Sequence, residues 1–527
     1  MNNTQNTEKN AAEAARLYEL FREFYDAYAG ERARLDRCET MYRGDHWSGV
    51  PAEDINEPRP VTPVIQSAIE NVRADLDDYV PEAVVTADNA AYSELAETLT
   101  QVIRENHLNC SYDEEYRALT HDLLVCGYGV QEIGYDPEAA GGMGQAFVRH
   151  VDVNAVLFDP LVCDIGDGRA VFKFARRTRE WFRQHYPDDA EGLTDDGLFM
   201  DTDGDGLLSP RIDRSIMLIE CWLREYDAKK SRWAVHVVKL AGGKILEDSR
   251  RHYPKGVYRH GQYPFVVTQL FPRKGSPLGY GFVDMFETAQ RYSDKLDQIV
   301  MKNALMASRN KLLVTGSSGF DIDDLRDWSK EVHKGDNLNG VTWFQTAPLP
   351  AYLISYIADM RSGIKEESGS NDWSRGLTNY GVTSGTAISA LQEKSSKRAR
   401  MAAKSLHTAF RKAVEQELEL EREFALGLRC IKTYIDRADP EGAARADHAA
   451  RELMNSDDMP ISIRVTVKVQ KETGFSAIAH NDTVFRLVET GMISPEVGLE
   501  LIVFDGKEQA KALMKNKAEE AAGRRTV

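Results

Sequence analysis

From Gly281 to about Ala307, apolar residues recur at helical steps through Met285, Phe286, Ala289, Tyr292, Leu296, Ile299 and Val300. At about 1.5 Å per residue the spacing predicts a rod of roughly 40 Å. Gln290, Ser293, Asp297 and Asn303 leave its other face polar, so the helix could stand against identical neighbours. A compact segment follows at 308–350: a strand "KLLVTG", a helix holding Leu325 and Trp328, and a strand "GVTWFQ". A second helix starts near Ala351 and passes through Leu353, Ile354, Ile357 and Ile364. The chain goes out along one helix, builds a small α/β module, and returns along another.

The first half sets the fold class. Residues 1–10 are polar and are expected to be disordered. Ala14, Leu17, Phe21, Phe24 and Tyr28 then mark an amphipathic helix that continues towards Tyr42. A second helix follows Thr62-Pro63, where a threonine before proline suits an N-cap. Further helices are expected over 93–107 and 112–126. The pattern then changes to short alternating runs, "GVQEIGYDP", "QAFVRHVDV", "AVLFDP" and "AVFKFARRT", which read as an antiparallel meander. "SIMLIECWLREY", "RWAVHVVKLAGGKILED" and "YPFVVTQLF" continue it, with Gly242-Gly243 as a hairpin turn. Helices followed by antiparallel sheet give an α+β class. With 527 residues, about two to four domains are expected.

Near residue 376 a flexible stretch joins a basic helix. The loop holds Gly376, Thr378, Asn379, Tyr380, Gly381, Thr383, Ser384 and Gly385. The helix expected over 387–428 carries Lys394, Lys397, Arg398, Arg400 and Lys404. The loop lacks the lysine of a phosphate-binding GxxxxGK[ST] loop, so it is either a helix start capped by Ser384 or Thr386, or a segment kept mobile for function. The cations suit a solvated face, a neighbouring subunit's acidic surface, or phosphate contact. No aromatic residue lies between Lys394 and Lys404, so base stacking is not supported there. The formal charge of −17 argues against a general nucleic-acid coat but leaves room for a local basic patch.

Other chemistry is sparse. Asp201, Asp203 and Asp205 sit as in the first half of an EF-hand loop, but the twelfth position is Ile212 and not glutamate. The segment reads as an acidic surface turn, with weak calcium binding as the alternative. Six scattered cysteines include no CxxC pair, and the histidines show no HExxH, so no metal site, cofactor or disulfide framework is expected. No apolar h-region and no run of about 18 apolar residues is present, so neither secretion nor membrane insertion is expected. "ISIRVTVKVQ" (461–470) alternates and reads as one exposed strand, and the C-terminal part is helical.

The order of segments resembles that of bacteriophage portal proteins, the head-to-tail connectors, particularly the P22-like type of short-tailed phages. "YRGDHW" followed by "RPVTPVIQSAIENVRADLDDYVPEAVV" resembles the opening segment of that family. "LLVCGYGVQEIGYD", with Gly127 and Gly129, and "VRHVDVNAVLFDP", with its Asp159-Pro160 turn, resemble its wing. "GYGFVDMFETAQRYSDKLDQIVMKNALMASRNKLLV" resembles the first stem helix, and "TSGTAISALQEKSS" the segment beside the channel loop. "LVETGMISPEVGLELI" resembles the helical C-terminal region.

The resemblance implies a homo-oligomeric ring, generally of about twelve subunits, at one capsid vertex of the virion, assembled in the host cytoplasm. Double-stranded DNA would pass through its channel during packaging and ejection. The terminase large subunit, head-completion or tail adaptor proteins, and coat and scaffolding proteins would dock on it. No catalytic site is implied. The implied parts are a wing over 1–280, stem helices over 281–307 and 351–372, and a clip over 308–350. A tunnel loop would occupy 373–388, the long helix and return to the wing 389–470, and a helical crown 471–527. A packaging enzyme of terminase type would need a phosphate loop or clustered metal-binding carboxylates. A monomeric cytosolic adaptor would bury every apolar stripe within one chain.

Overall fold

The structure is a computed structural model. It describes residues 2–52, 57–77, 80–88, 92–193, 215–227, 232–308, 311–327, 329–344, 348–369, 397–424, 448, 451, 463–469, 474–494, 498 and 502.

Two helices open the chain, α1 (Asn2–Ala27) and α2 (Ala29–Tyr42). The first begins at Asn2, well before its apolar stripe starts at Ala14, so the segment expected to be disordered is helical. Ala14, Leu17, Phe21, Phe24 and Tyr28 are all buried. Phe21 and Phe24 both meet Phe172 edge-on, at centroid distances of 5.3 and 5.2 Å. Then come α3 (Val64–Asp77), β1 (Pro81–Ala87), α4 (Ser93–Asn109) and α5 (Tyr112–Val125).

The β half is two sheets, not one meander. β2 (Tyr128–Asp136) and β3 (Gln145–Val151) form a hairpin, while β4 (Val156–Phe158) and β5 (Ala170–Thr178) leave it to start a second sheet. A short helix α6 (Arg179–His185) follows, started by the Thr178 side chain, which accepts from Trp181 N. β6 (Ser215–Asp227), β7 (Arg232–Ala241) and β8 (Lys244–Asp248) complete a five-stranded antiparallel sheet in the order β4-β5-β6-β7-β8. Gly242 and Gly243 turn the last hairpin with φ of 54° and 77°, a conformation that costs glycine little. β9 (Phe265–Gln269) returns to pair with β2 and makes the three-stranded sheet β3-β2-β9. The short strands β10 (Phe271–Pro272) and β11 (Gly279–Tyr280) pair with each other.

Next is the 27-residue helix α7 (Phe282–Ser308). The small module follows: β12 (Lys311–Val314), α8 (Ile322–Arg326) and β13 (Val341–Phe344), its two strands antiparallel. α9 (Tyr352–Ser368) comes next and packs on α7 and α3. α10 (Lys397–Phe424) then crosses both the three-stranded sheet and the helical layer. Its stripe of Ala399, Ala402, Leu406, Phe410, Val414 and Leu418 belongs to the same core as α1–α5 and the sheets. β14 (Ile463–Val469) pairs along its length with β1, Ile463 opposite Ala87 and Val469 opposite Pro81. The described chain ends largely with α11 (Gly474–Glu489). The class is α+β, as the alternation of patterns in the sequence predicts.

Candidate assembly surface

The face of α7 that carries Gln290 and Ser293 is not available to a neighbour. Both side chains are fully buried, and Asp294 and Gln298 are 2% exposed. They form a polar seam with the chain between α2 and α3. Gln290 Oε1 accepts from Val64 N at 3.2 Å and from Ile65 N at 3.3 Å. These are the first amides of α3, which no intrahelical carbonyl can satisfy. The expected threonine cap is therefore supplied from another helix, and Thr62 Oγ1 instead donates to Asp297. Gln290 Nε2 donates to Thr62 O at 2.7 Å and to Asp294 Oδ1 at 2.9 Å. Asp294 also holds His46 Nδ1 at 2.5 Å, and Gln298 donates to Pro58 O at 3.0 Å. From α9, Arg361 reaches Ser293 Oγ at 3.1 Å, Thr62 Oγ1 at 3.1 Å and Asp297.

At its base α7 is tied by Arg34. The guanidinium contacts Asp284 at 2.5 Å and Glu31 at 2.6 Å, and donates to Cys126 O at 2.8 Å. Burial opposes its charge, but the Glu31 and Asp284 carboxylates outweigh that and raise its pKa. The neighbouring Cys38 thiol is pushed up to about 12, mainly by burial, which keeps it an unreactive thiol.

With the polar face turned inward, α7 shows water an apolar one. Met285, Tyr292, Ile299 and Met306 follow at steps of seven and are 38%, 64%, 43% and 44% exposed. Leu305 beside them is also exposed, and α9 adds Tyr352, Ile354 and Tyr356. Residues three or four apart share a helix face, so steps of seven keep one line along the rod. Periodicity alone did not reveal this, because α7 is apolar on two sides. Phe282, Val283 and Phe286 fill the core while the heptad line faces out.

The basic helix is α10. Lys397, Arg400 and Lys404 are exposed along one line. Arg398 is half-buried, its guanidinium 5.9 Å from the centre of the Phe271 ring. Lower on α10, Glu417 and Glu421 are fully buried. Asn106 Nδ2 donates to Glu417 Oε1 at 2.9 Å and to Glu421 Oε1 at 2.8 Å, fixing α10 to α4. Lys394, the loop residues Gly376, Thr378, Asn379, Tyr380, Gly381, Thr383, Ser384 and Gly385, and the acidic turn of Asp201, Asp203 and Asp205 lie outside the described residues. Among the described residues no group of three or more His, Cys, Asp or Glu is placed to hold a metal ion. No helix of the described residues is long and apolar enough to cross a membrane.

Gly127 and Gly129 are needed where they stand. Gly127 has φ of 89°, and a Cβ there would lie 2.0 Å from Tyr280 C. A Cβ on Gly129 would lie 2.5 Å from Leu119 Cδ1. At the Asp159-Pro160 turn, buried Asp159 accepts from Leu161 N at 3.1 Å and from Arg169 N at 3.0 Å, and pairs with the Arg169 guanidinium at 2.7 Å.

No curated protein matches this chain. A family model does: residues 18–447 match that of the phage P22-like portal proteins. The match runs from α1, through both sheets, α7, the small module and α9, to beyond α10, well over half of the sequence, and the chain belongs to the P22-like phage portal protein family.

Proposed function

We propose that about twelve copies of this chain close into a ring at one vertex of a phage capsid, and that double-stranded DNA passes through the ring during packaging and ejection. Membership of a structural family of virion components supports the general reading. The observation that carries the ring is the outward line of Met285, Tyr292, Ile299 and Met306 on α7. An apolar line of this kind on a monomer stays wet, and side-by-side copies bury it.

In this reading α7 and α9 are stem helices, and 308–350 is the clip on which terminase, and later head-completion or tail adaptor proteins, dock. Residues 1–280 are the wing that meets coat and scaffolding proteins, and 471–527 form the crown. The glycine-rich residues 373–388 are the tunnel loop beside the DNA. Lys397, Arg400 and Lys404, with Lys394 and Arg398, serve subunit contacts or phosphates near the channel. Binding and motion suffice for this role, and no bond is made or broken by the ring itself. The test is assembly of a Tyr292→Glu/Ile299→Glu variant. Both sites are exposed, so the chain folds with an unchanged melting temperature and fails to form the ring. A ring that forms undisturbed overturns the proposed role of α7.

A further inference from the structure

Away from α7, one cleft of about 1620 Å³ runs between α10, the edge of the three-stranded sheet and β14. Its walls carry seven Lys and Arg side chains against three carboxylates, an excess of four positive charges on a chain whose net charge is −17. Lys412 and Arg411 line it from α10, Arg464 from β14 and Arg232 from β7. Arg411 lies 3.8 Å from Glu415 and Arg464 2.9 Å from Asp88, both in exposed pairs that another carboxylate can exchange into. Among the described residues, two polar atoms inside lack partners. Gln262 N donates to His260 Nδ1 at 3.1 Å, which leaves the proton on Nε2, and Nε2 is buried with nothing to donate to. Burial holds His260 neutral, with its pKa lowered to about 4. Gln416 spends its Nε2 on Gln262 Oε1 and Tyr263 O, and its Oε1 accepts from no group.

β9 and β14 both contribute to the cleft, and each is the last strand of its sheet among the described residues. Edge strands present unpaired N–H and C=O groups, which recognise another extended backbone. A cationic trough, an unused donor and acceptor, and two strand edges together suit a ligand that is acidic and has peptide backbone.

We infer that this cleft binds an extended acidic segment of a partner protein, which pairs its backbone with an edge strand and its carboxylates with Arg411, Lys412 and Arg464. Nucleic acid fits the charge but makes no use of the strand edges.

The test uses the full chain and a fluorescein-labelled peptide of alternating Glu and Thr, about ten residues long. Two controls carry matched charge: a Glu-Pro peptide, which lacks half of the backbone donors, and oligothymidine. The Glu-Thr peptide binds. Arg411→Glu/Lys412→Glu weakens it about tenfold or more, the Glu-Pro peptide binds correspondingly worse, and added salt weakens all binding. Arg232→Glu, on the opposite wall, repeats the loss if the first variant is poorly folded. Equal binding of the Glu-Pro peptide, tighter binding of oligothymidine, or no effect of either variant overturns the inference. Particle mass measured on the same sample separates its failure from failure of ring assembly.

Discussion

Gln290 caps a helix that begins 226 residues earlier in the chain: its Oε1 lies 3.2 Å from Val64 N, and the Nε2 of the same amide lies 2.7 Å from Thr62 O. One buried side chain thus satisfies the start of α3 and locks α7 against it. Gln290→Leu takes the acceptor from Ile65 N and the donor from Thr62 O and Asp294 Oδ1 in a buried seam, while Val64 N keeps its bond to Thr62 O at 2.8 Å. An expected loss of about 2–4 kcal/mol in unfolding free energy, read by urea denaturation, follows. Gln290→Glu keeps the acceptor but sets a second carboxylate against Asp294 Oδ1 and the Thr62 carbonyl inside the buried seam, so it costs at least as much.

Gly127 tests the join between the helical layer and α7. It closes α5 in the left-handed region, and Tyr280 and Gly281 pack against its Cα. Gly127→Ala requires both a strained backbone and movement of the 280–281 backbone. The expected cost is about 3 kcal/mol or more, seen as a large drop in melting temperature. The exposed Gly142, also at positive φ but with open space around it, costs about 1 kcal/mol on the same change.

Much of this was readable in the sequence where the signal is local. The α1 stripe, the Gly242-Gly243 turn and the helix–module–helix order all depend on neighbours within a few residues. What could not be read depends on which distant surface fills a face. The polar residues of α7 look solvent-facing until His46, Thr62 and Arg361 are brought to them. The alternation of 463–469 shows a strand but not that β1, nearly 400 residues away, is its partner. The quoted motifs carried the family resemblance, which the family match bears out, whereas the buried Glu417–Asn106–Glu421 joint carries no motif at all.

His121 and Glu39 give a pH signature. His121 Nε2 is 3.2 Å from Glu39 Oε2. Its hydrogen bond to Glu39 raises its pKa above the usual 6.5, and the same bond lowers that of Glu39. A raised histidine stabilises fully below about pH 6.5 and loses that contribution as pH rises through the folded value. The lowered glutamate contributes above about pH 4.5 and loses it as pH falls through its own folded value. The pair therefore helps most near pH 5–6. Both side chains are about a quarter to a third exposed, so screening keeps the effect under about 1 kcal/mol. The stability deficit of His121→Gln, measured across pH, is expected to be larger at pH 5.5 than at pH 8.

The cationic line on α10 separates folding from function. Lys397, Arg400 and Lys404 are exposed, so changing all three to Glu is expected to move the melting temperature by only about 2 °C. DNA packaged per particle is expected to fall several-fold. Normal packaging by this variant would show that the line is only a solvated face.

Ring formation is tested most directly by the mass of the purified particle in solution, by light scattering or native mass spectrometry. A chain of 59.2 kDa in a twelve-membered ring gives roughly 700 kDa, and Tyr292→Glu/Ile299→Glu returns it towards the mass of one chain. A particle that stays at one chain's mass at high concentration, with Met285, Tyr292, Ile299 and Met306 still in water, would contradict the ring.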